Sequence, residues 1–83
     1  MIEDVLAERG KRYGEFKDHA ELSQTLKMCM YEHEGWKRLS LPQRESLEMV
    51  MHKIARIING DPNYKDSWTD IIGYVKLIEQ ELQ

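Results

Sequence analysis

The sequence predicts an all-α fold, a small bundle of about four helices that forms one domain over residues 1–83. Apolar residues recur at spacings of three and four, which is the helical period. Short breaks that contain glycine or proline separate the periodic segments. A chain of 83 residues provides area for one compact core only. Because the connections are short, we expect the third and fourth helices to form an antiparallel hairpin and the chain to complete its core as a homo-oligomer.

The first two helices are expected on either side of the segment "RYGEF". The first covers about residues 2–12 and stops before Gly14. The second begins at Asp18, whose carboxylate can accept a hydrogen bond from the first turn while Glu21 completes a capping box. We expect this helix to end by Gly35, because glycine adopts the left-handed conformation of a C-cap at little cost. Its apolar face contains Leu22, Leu26, Cys29 and Met30.

The segment "SLPQRE" indicates the start of the third helix. Ser40 can cap this helix, Pro42 lies in the first turn where no amide hydrogen is needed, and Gln43 completes a capping box. The pair Asn59 and Gly60 ends it. Its buried face is predicted to contain Leu47, Val50, Met51, Ile54, Ala55 and Ile58.

The fourth helix is predicted to begin at Ser67, with Asp70 in the capping-box position. On this helix Asp66, Asp70 and Tyr74 share a line with Leu77, so Asp70 is expected to be partly buried. A carboxylate in such a place needs a cation, hydrogen-bond donors or a metal ion. The buried face of the helix is predicted to contain Ile71, Ile72, Val75, Ile78 and Leu82.

Composition excludes several classes of function. The formal charge of −3 gives no electrostatic basis for binding a nucleic acid polymer or a membrane surface. No apolar run approaches the roughly 20 residues that a spanning helix needs. The single cysteine, Cys29, cannot form an internal disulfide, and no secretory signal pattern is evident. We therefore expect the protein to be located in the cytoplasm, which is the host cytoplasm if the chain is phage-encoded.

Charged residues on the third and fourth helices allow two interpretations. In the structural one, Asp70 pairs with Lys53 or Arg56 across the hairpin. In the functional one, four carboxylates bind Mg²⁺ while Lys53 and Arg56 contact phosphate groups, because hard oxygen ligands beside basic residues suit a magnesium-nucleotide site. The four proposed metal ligands are Glu45, Glu48, Asp66 and Asp70.

A transition-metal site is a further alternative. Cys29 and His33 are one helical turn apart, which is the geometry of half such a site, and His19, His52 or another subunit would have to provide the remaining ligands. We expect instead that Cys29 is a core thiol and His33 a surface residue. Two methionines, Met28 and Met49, are predicted to point outward and to mark a subunit or partner contact.

Two long segments carry a family resemblance. The stretches "ERGKRYGEF" and "RESLEMVMHKIARIINGDPNYKDSWTDIIGYVKL" resemble small, mostly phage-encoded or prophage-encoded domains without established function, and the match covers most of the chain. More distantly, the "KRYG" turn and the final "D-x-x-G-Y" helix are similar to MazG-like all-α nucleoside triphosphate pyrophosphohydrolases. Those enzymes bind Mg²⁺ through an E-E-x-x-E/D motif on one helix and an E-x-x-D motif on the next. This chain departs from both motifs, with only E-x-x-E at Glu45 and Glu48 and with Asp66 and Asp70 four residues apart.

The MazG-like resemblance implies a nucleotide site on the hairpin. It would place Glu45, Glu48 and Asp70 on Mg²⁺, Lys53 and Arg56 on phosphates, and Trp68 or Tyr74 on a base or ribose. The expected function is binding of a nucleotide or nucleotide-like phosphate ligand, by an Mg²⁺-dependent pyrophosphohydrolase or a degenerate binder. The alternatives are a phage protein that inhibits or adapts a host factor through a helical surface, and a purely structural oligomerisation module.

Overall fold

A computed structural model describes residues 1–82 and shows the all-α fold that the sequence predicts. In this part of the chain there are four α-helices and one short 3₁₀ segment, Glu34–Arg38, and no strand. No helix within it is both long and apolar enough to cross a membrane. The α-helices are α1 (Ile2–Tyr13), α2 (Phe16–Glu32), α3 (Leu41–Asn59) and α4 (Lys65–Glu79).

Helix α3 is the centre of the molecule, with α4 on one side and α2 on the other. The predicted α3–α4 hairpin is confirmed, and two polar contacts show that it is antiparallel. Ser46 Oγ donates to the backbone oxygen of Tyr74 at 2.8 Å, and Lys53 Nζ lies 2.9 Å from Asp70 Oδ2. The contacts of α2 come from another face of α3, through Glu48 and His52. Helices α2 and α4 therefore pack on different faces of α3, in a small helical bundle.

A turn at Gly14 joins the end of α1 to the end of α3. Asn59 Nδ2 donates to the backbone oxygens of Tyr13, at 2.8 Å, and Glu15, at 3.1 Å. Gly14 has a φ of 77°, and a Cβ atom there would collide with the Asn59 backbone. A Cβ at Gly60 would collide with the backbone of α1. The two glycines are therefore required for the close approach of α1 and α3.

Two predicted helix starts were wrong. Helix α2 begins at Phe16 and α4 at Lys65, each about two residues earlier than expected, and neither start has a side-chain cap. Ser67 is instead buried, 3% exposed, inside the first turn of α4. A small side chain is found there because α4 packs closely on α3, and packing rather than capping fixes this position.

The predicted start of α3 is confirmed, whereas the end of α2 has a different cause from the one expected. Ser40 and Gln43 form both hydrogen bonds of a capping box. Helix α2 does end before Gly35, but Gly35 is not left-handed and lies inside the 3₁₀ segment. His33 ends the helix, since its Nδ1 accepts a hydrogen bond from the Gly35 amide at 2.9 Å.

The buried faces of α3 and α4 are rotated relative to the prediction. On α3, Ile57 is buried and Ile58 is 66% exposed. On α4, the side that faces α3 begins at Ser67 and continues through Ile71 and Ile78, which are half-buried. The remaining residues of the predicted apolar face point away from α3. The predicted core residues that are instead largely exposed are Leu47, Ile58, Ile72, Val75 and Leu82.

The monomer has a very small core. Within residues 1–82, the only apolar side chains that are buried are Ala55 and Ile57. The expectation that Cys29 is a core thiol was also wrong, because this residue is exposed. In a bundle of this size most apolar side chains lie close to the surface, so most of them are covered only in part.

Candidate functional site

Asp70 pairs with Lys53, one of the two partners that the structural interpretation proposed, and not with Arg56. Its Oδ2 is 2.9 Å from Lys53 Nζ, and the Lys53 side chain is 11% exposed against 46% for Asp70. Arg56 points away from the hairpin and lies over the ring of Tyr13 on α1, 4.1 Å from the ring centroid. The two basic residues predicted to share one phosphate site are therefore on different sides of α3.

The other predicted metal ligands have separate neighbours. Glu48 Oε2 accepts a hydrogen bond from the Tyr31 hydroxyl at 2.7 Å, which raises the pKa of Tyr31, with smaller contributions from burial and from the charges of Glu48 and Glu45. Asp66 accepts one from the Tyr64 hydroxyl at 2.9 Å, and this bond raises the pKa of Tyr64.

The four carboxylates proposed as metal ligands do not converge within residues 1–82 of one chain. Glu45 and Glu48 are neighbours on α3, whereas Asp66 and Asp70 are on α4 with other partners. Across residues 1–82, no group of three or more His, Cys, Asp or Glu side chains is arranged to hold a metal ion. A magnesium site built from these four residues stays a prediction, and each of three carboxylates would have to leave the partner that it has here.

The two aromatic residues of the predicted site are also apart. Trp68 is 52% exposed, and its Nε1 donates to the backbone oxygen of Pro62 at 2.8 Å. Tyr74 is half-buried and shares with Asp70 a shallow groove of about 510 Å³ on the outer side of α4. Asp70 and Tyr74 are thus the two predicted site residues that lie in one concavity on the hairpin.

A cleft with a volume of about 600 Å³ lies between α1, α2 and one side of α3. We call it the α1–α3 cleft. Of the predicted site residues it contains Arg56 alone. Its volume lies within the range of roughly 300–1,000 Å³ that is usual for small-molecule sites. It is lined by Leu6, Arg9, Gly10, Tyr13, Gly14, Glu15, Phe16, His19, His52 and Arg56.

Two histidines form the inner wall of this cleft. The rings of His19 and His52 meet edge to face, with 4.7 Å between their centroids. His19 is 5% exposed, and its Nδ1 is buried without a hydrogen-bond partner among the described residues. Burial and the nearby Arg56 charge lower the pKa of His19, and the same two causes lower the pKa of His52 to about 4. Both imidazoles are therefore neutral at pH 7.

Two arginines at the cleft have no carboxylate partner in the described chain. Arg9 is exposed on α1, and the Arg56 guanidinium stacks on Tyr13; neither forms an ion pair within residues 1–82. Glu15 is the single acidic residue of the lining. Guanidinium groups in this situation can form paired hydrogen bonds with phosphate or carboxylate oxygens. The cleft combines such groups with aromatic and aliphatic side chains, as a site for an anionic ligand with a ring would require.

A family model described as a domain of unknown function, DUF6378, matches residues 2–82. The chain belongs to the DUF6378 family. No curated protein and no solved structure gives a significant match. The family match covers nearly the whole chain, which agrees with the extent of the resemblance that the two long sequence segments show.

Most of this cleft in the DUF6378 domain is not predicted by the sequence. The sequence pattern indicated His19 and His52 only as possible metal ligands and indicated no role for Arg9. One local signal was present, since Arg9 and Tyr13 are one turn apart on α1 and the segment "KRYG" combines basic and aromatic residues. Helical spacing cannot show that α1 returns to α3, because that contact depends on Asn59 bonding to residues more than forty positions earlier.

Proposed function

We propose that this DUF6378 domain binds a nucleotide or a nucleotide-like phosphate-bearing small molecule in the α1–α3 cleft. The observation that carries the proposal is the meeting of Arg9 and Arg56, neither paired with a described carboxylate, in a cleft of about 600 Å³ that is otherwise mostly apolar. This moves the expected ligand from the hairpin to the opposite side of α3 and keeps one residue of the predicted set, Arg56.

Each part of such a ligand has a suitable neighbour in the cleft. The two guanidinium groups suit the phosphate oxygens. The rings of Tyr13 and Phe16 suit stacking or edge contacts with a base. Phe16 is 80% exposed and would be covered by a ligand. The unpartnered Nδ1 of His19 suits a polar atom of the ligand, because a buried nitrogen without a hydrogen bond costs free energy that a partner would recover.

Several narrower expectations stay predictions. Mg²⁺-dependent pyrophosphohydrolysis of the MazG-like kind requires Glu45, Glu48 and Asp70 to converge, and a second chain or a rearranged hairpin would have to bring them together. Phage origin, a cytoplasmic location and homo-oligomerisation are proposals as well. The very small monomer core supports the last of them.

A calorimetric titration tests the proposed ligand class. The panel contains ribo- and deoxyribonucleoside mono-, di- and triphosphates, each with and without Mg²⁺. We expect saturable binding of at least one, and a loss of at least tenfold in affinity in Arg56→Gln. The matched control is Arg38→Gln, the same change at an exposed arginine in the 3₁₀ segment. Equal affinity in both variants, or no binding by the wild type, would refute the cleft as the site; pyrophosphate release would separate an enzyme from a binder.

One observation favours the alternative of a protein-binding function. Met28 on α2 is 55% exposed and Tyr31, one turn later, is 44% exposed, whereas Met49 is half-buried. Exposed methionine and tyrosine are common at protein interfaces. A pull-down from host lysate with the wild type and with Met28→Asp tests this function. A partner that is retained equally by both would count against this surface.

A further inference from the structure

The α3–α4 hairpin has an exposed apolar face that nothing in the described chain covers. On α4, Trp68, Ile72, Val75 and Leu82 have the spacing i, i+4, i+7, i+14 and form one line. Ile72 is 69% exposed and Leu82 is 61% exposed, although both are aliphatic. We call the whole surface the hairpin face, which consists of Leu47, Ile58, Trp68, Ile72, Val75 and Leu82.

An apolar groove overlaps the α4 line, because Val75 and Leu82 belong to both. It has a volume of about 290 Å³, and Leu39 and Leu47 on one side and Val75 and Ile78 on the other line it. Among its described lining residues only Glu79 is charged, and Lys76 Nζ donates to that carboxylate at 2.7 Å. In a two-fold contact each copy presents the same surface to the other, so a nearly uncharged apolar face would meet an apolar face of the same kind.

The area that the chain exposes is larger than is usual for a compact monomer of its mass. The accessible surface is 6400 Å², against about 5,200 Å² for a monomeric protein of 9.9 kDa. The radius of gyration is 14.3 Å, whereas a compact domain of this length has about 12 Å. The excess of about 1,200 Å² exceeds the roughly 800 Å² that each partner buries in an interface of standard size.

We propose that the hairpin face binds the hairpin face of a second copy of this chain, in a two-fold symmetric contact between the two α3–α4 hairpins. We choose a second copy as the occupant because the excess of exposed area is sufficient for an interface of standard size and a two-fold contact pairs this apolar face with an identical one. The contact is independent of the α1–α3 cleft, since His52 and Arg56 point from a different side of α3. Dimerisation and ligand binding can therefore fail separately.

Sedimentation equilibrium of the full chain tests the contact. We expect the wild type to be a dimer at micromolar concentration, and Ile72→Glu to have a dissociation constant at least tenfold higher. The matched control is Leu77→Glu, the same kind of change at a leucine that is 56% exposed on the other flank of α4. This variant should dimerise like the wild type. A monomeric wild type at 100 μM, or a loss of dimer in Leu77→Glu but not in Ile72→Glu, would overturn the proposal.

Circular dichroism at several protein concentrations covers the case in which a variant unfolds. If folding depends on the dimer, the Tm of the wild type and of Leu77→Glu should rise with concentration, and the Tm of Ile72→Glu should be lower than both at each concentration. Since Ile72 has little packing to lose within one chain, unfolding of Ile72→Glu alone would support the interface. Equal unfolding of both variants would contradict it.

Discussion

Lys53 and Asp70 form an ion pair whose two partners differ in exposure: the Lys53 side chain is 11% exposed and the Asp70 side chain 46%. The lysine has therefore lost most of its water, whereas the carboxylate keeps part of its hydration. Removing Lys53 and removing Asp70 should therefore change the free energy of unfolding by different amounts. A buried cation without a partner is costly, and a half-exposed carboxylate without a partner is not.

Asp70→Ala should consequently destabilise the fold more than Lys53→Met does. We expect a loss of about 1–3 kcal/mol in the free energy of unfolding for Asp70→Ala, and less than about 1 kcal/mol for Lys53→Met, which keeps the aliphatic part of the side chain. Urea denaturation measures both. Asp66→Ala, at an exposed acid one turn earlier, serves as the control. Equal losses at Lys53 and Asp70 would contradict the asymmetry.

Gly14→Ala should weaken the junction of α1 with α3. The positive φ of 77° and the collision with the Asn59 backbone both act against a side chain, so we expect a loss of about 1–3 kcal/mol in the free energy of unfolding. Gly73→Ala is the control, because a Cβ there meets nothing within 4 Å and the helix gains about 0.5–1 kcal/mol. Opposite signs in the two variants, measured by urea denaturation, are the expected result.

The fold should become less stable as the pH is lowered, because His52 has to be protonated. Burial and the Arg56 charge lower the pKa of His52 from 6.5 to about 4 in the folded chain, so between these pH values the unfolded chain binds more protons. The contribution of His52 to the free energy of unfolding is therefore completely present above about pH 6.5, and it is lost as the pH falls toward 4. After allowance for solvent screening, we expect His52 to account for about 1–2 kcal/mol of this decrease.

Thermal unfolding of His52→Gln between pH 4 and 7.5 checks this contribution. The variant should show a smaller decrease in Tm toward low pH than the wild type. Lys17→Gln, which introduces the same side chain at an exposed position of α2, should follow the wild-type curve. Parallel curves for the wild type and His52→Gln would show that the buried imidazole does not carry the effect.

Local sequence patterns were sufficient to predict where most helices lie, but not which side of each helix is buried. The capping box at Ser40 and Gln43 depends on neighbours in the chain, and its prediction was confirmed. Which side of a helix is buried depends on what packs there, and apolar spacing alone does not distinguish a core from an interface. Ile72 and Val75 were assigned to the core for this reason and are exposed.

The candidate site divides in the same way. The Lys53–Asp70 pair was one of two structural alternatives, because both residues lie on adjacent helices of a predicted hairpin. The cleft was missed, because it exists only where α1 returns to α3 through Gly14 and Asn59. Its two histidines are unremarkable in sequence and become informative only by their burial and their contact at 4.7 Å.

The most direct test of the ligand proposal is an NMR titration of the isotope-labelled chain with the nucleotide that binds best in the calorimetric panel. We expect saturable shift changes at the imidazoles of His19 and His52, the side chain of Arg56 and the amides of α1. The shallow α4 groove at Asp70 and Tyr74 should change little. Changes confined to that groove, or none that saturate with any nucleotide of the panel, would contradict binding in the α1–α3 cleft.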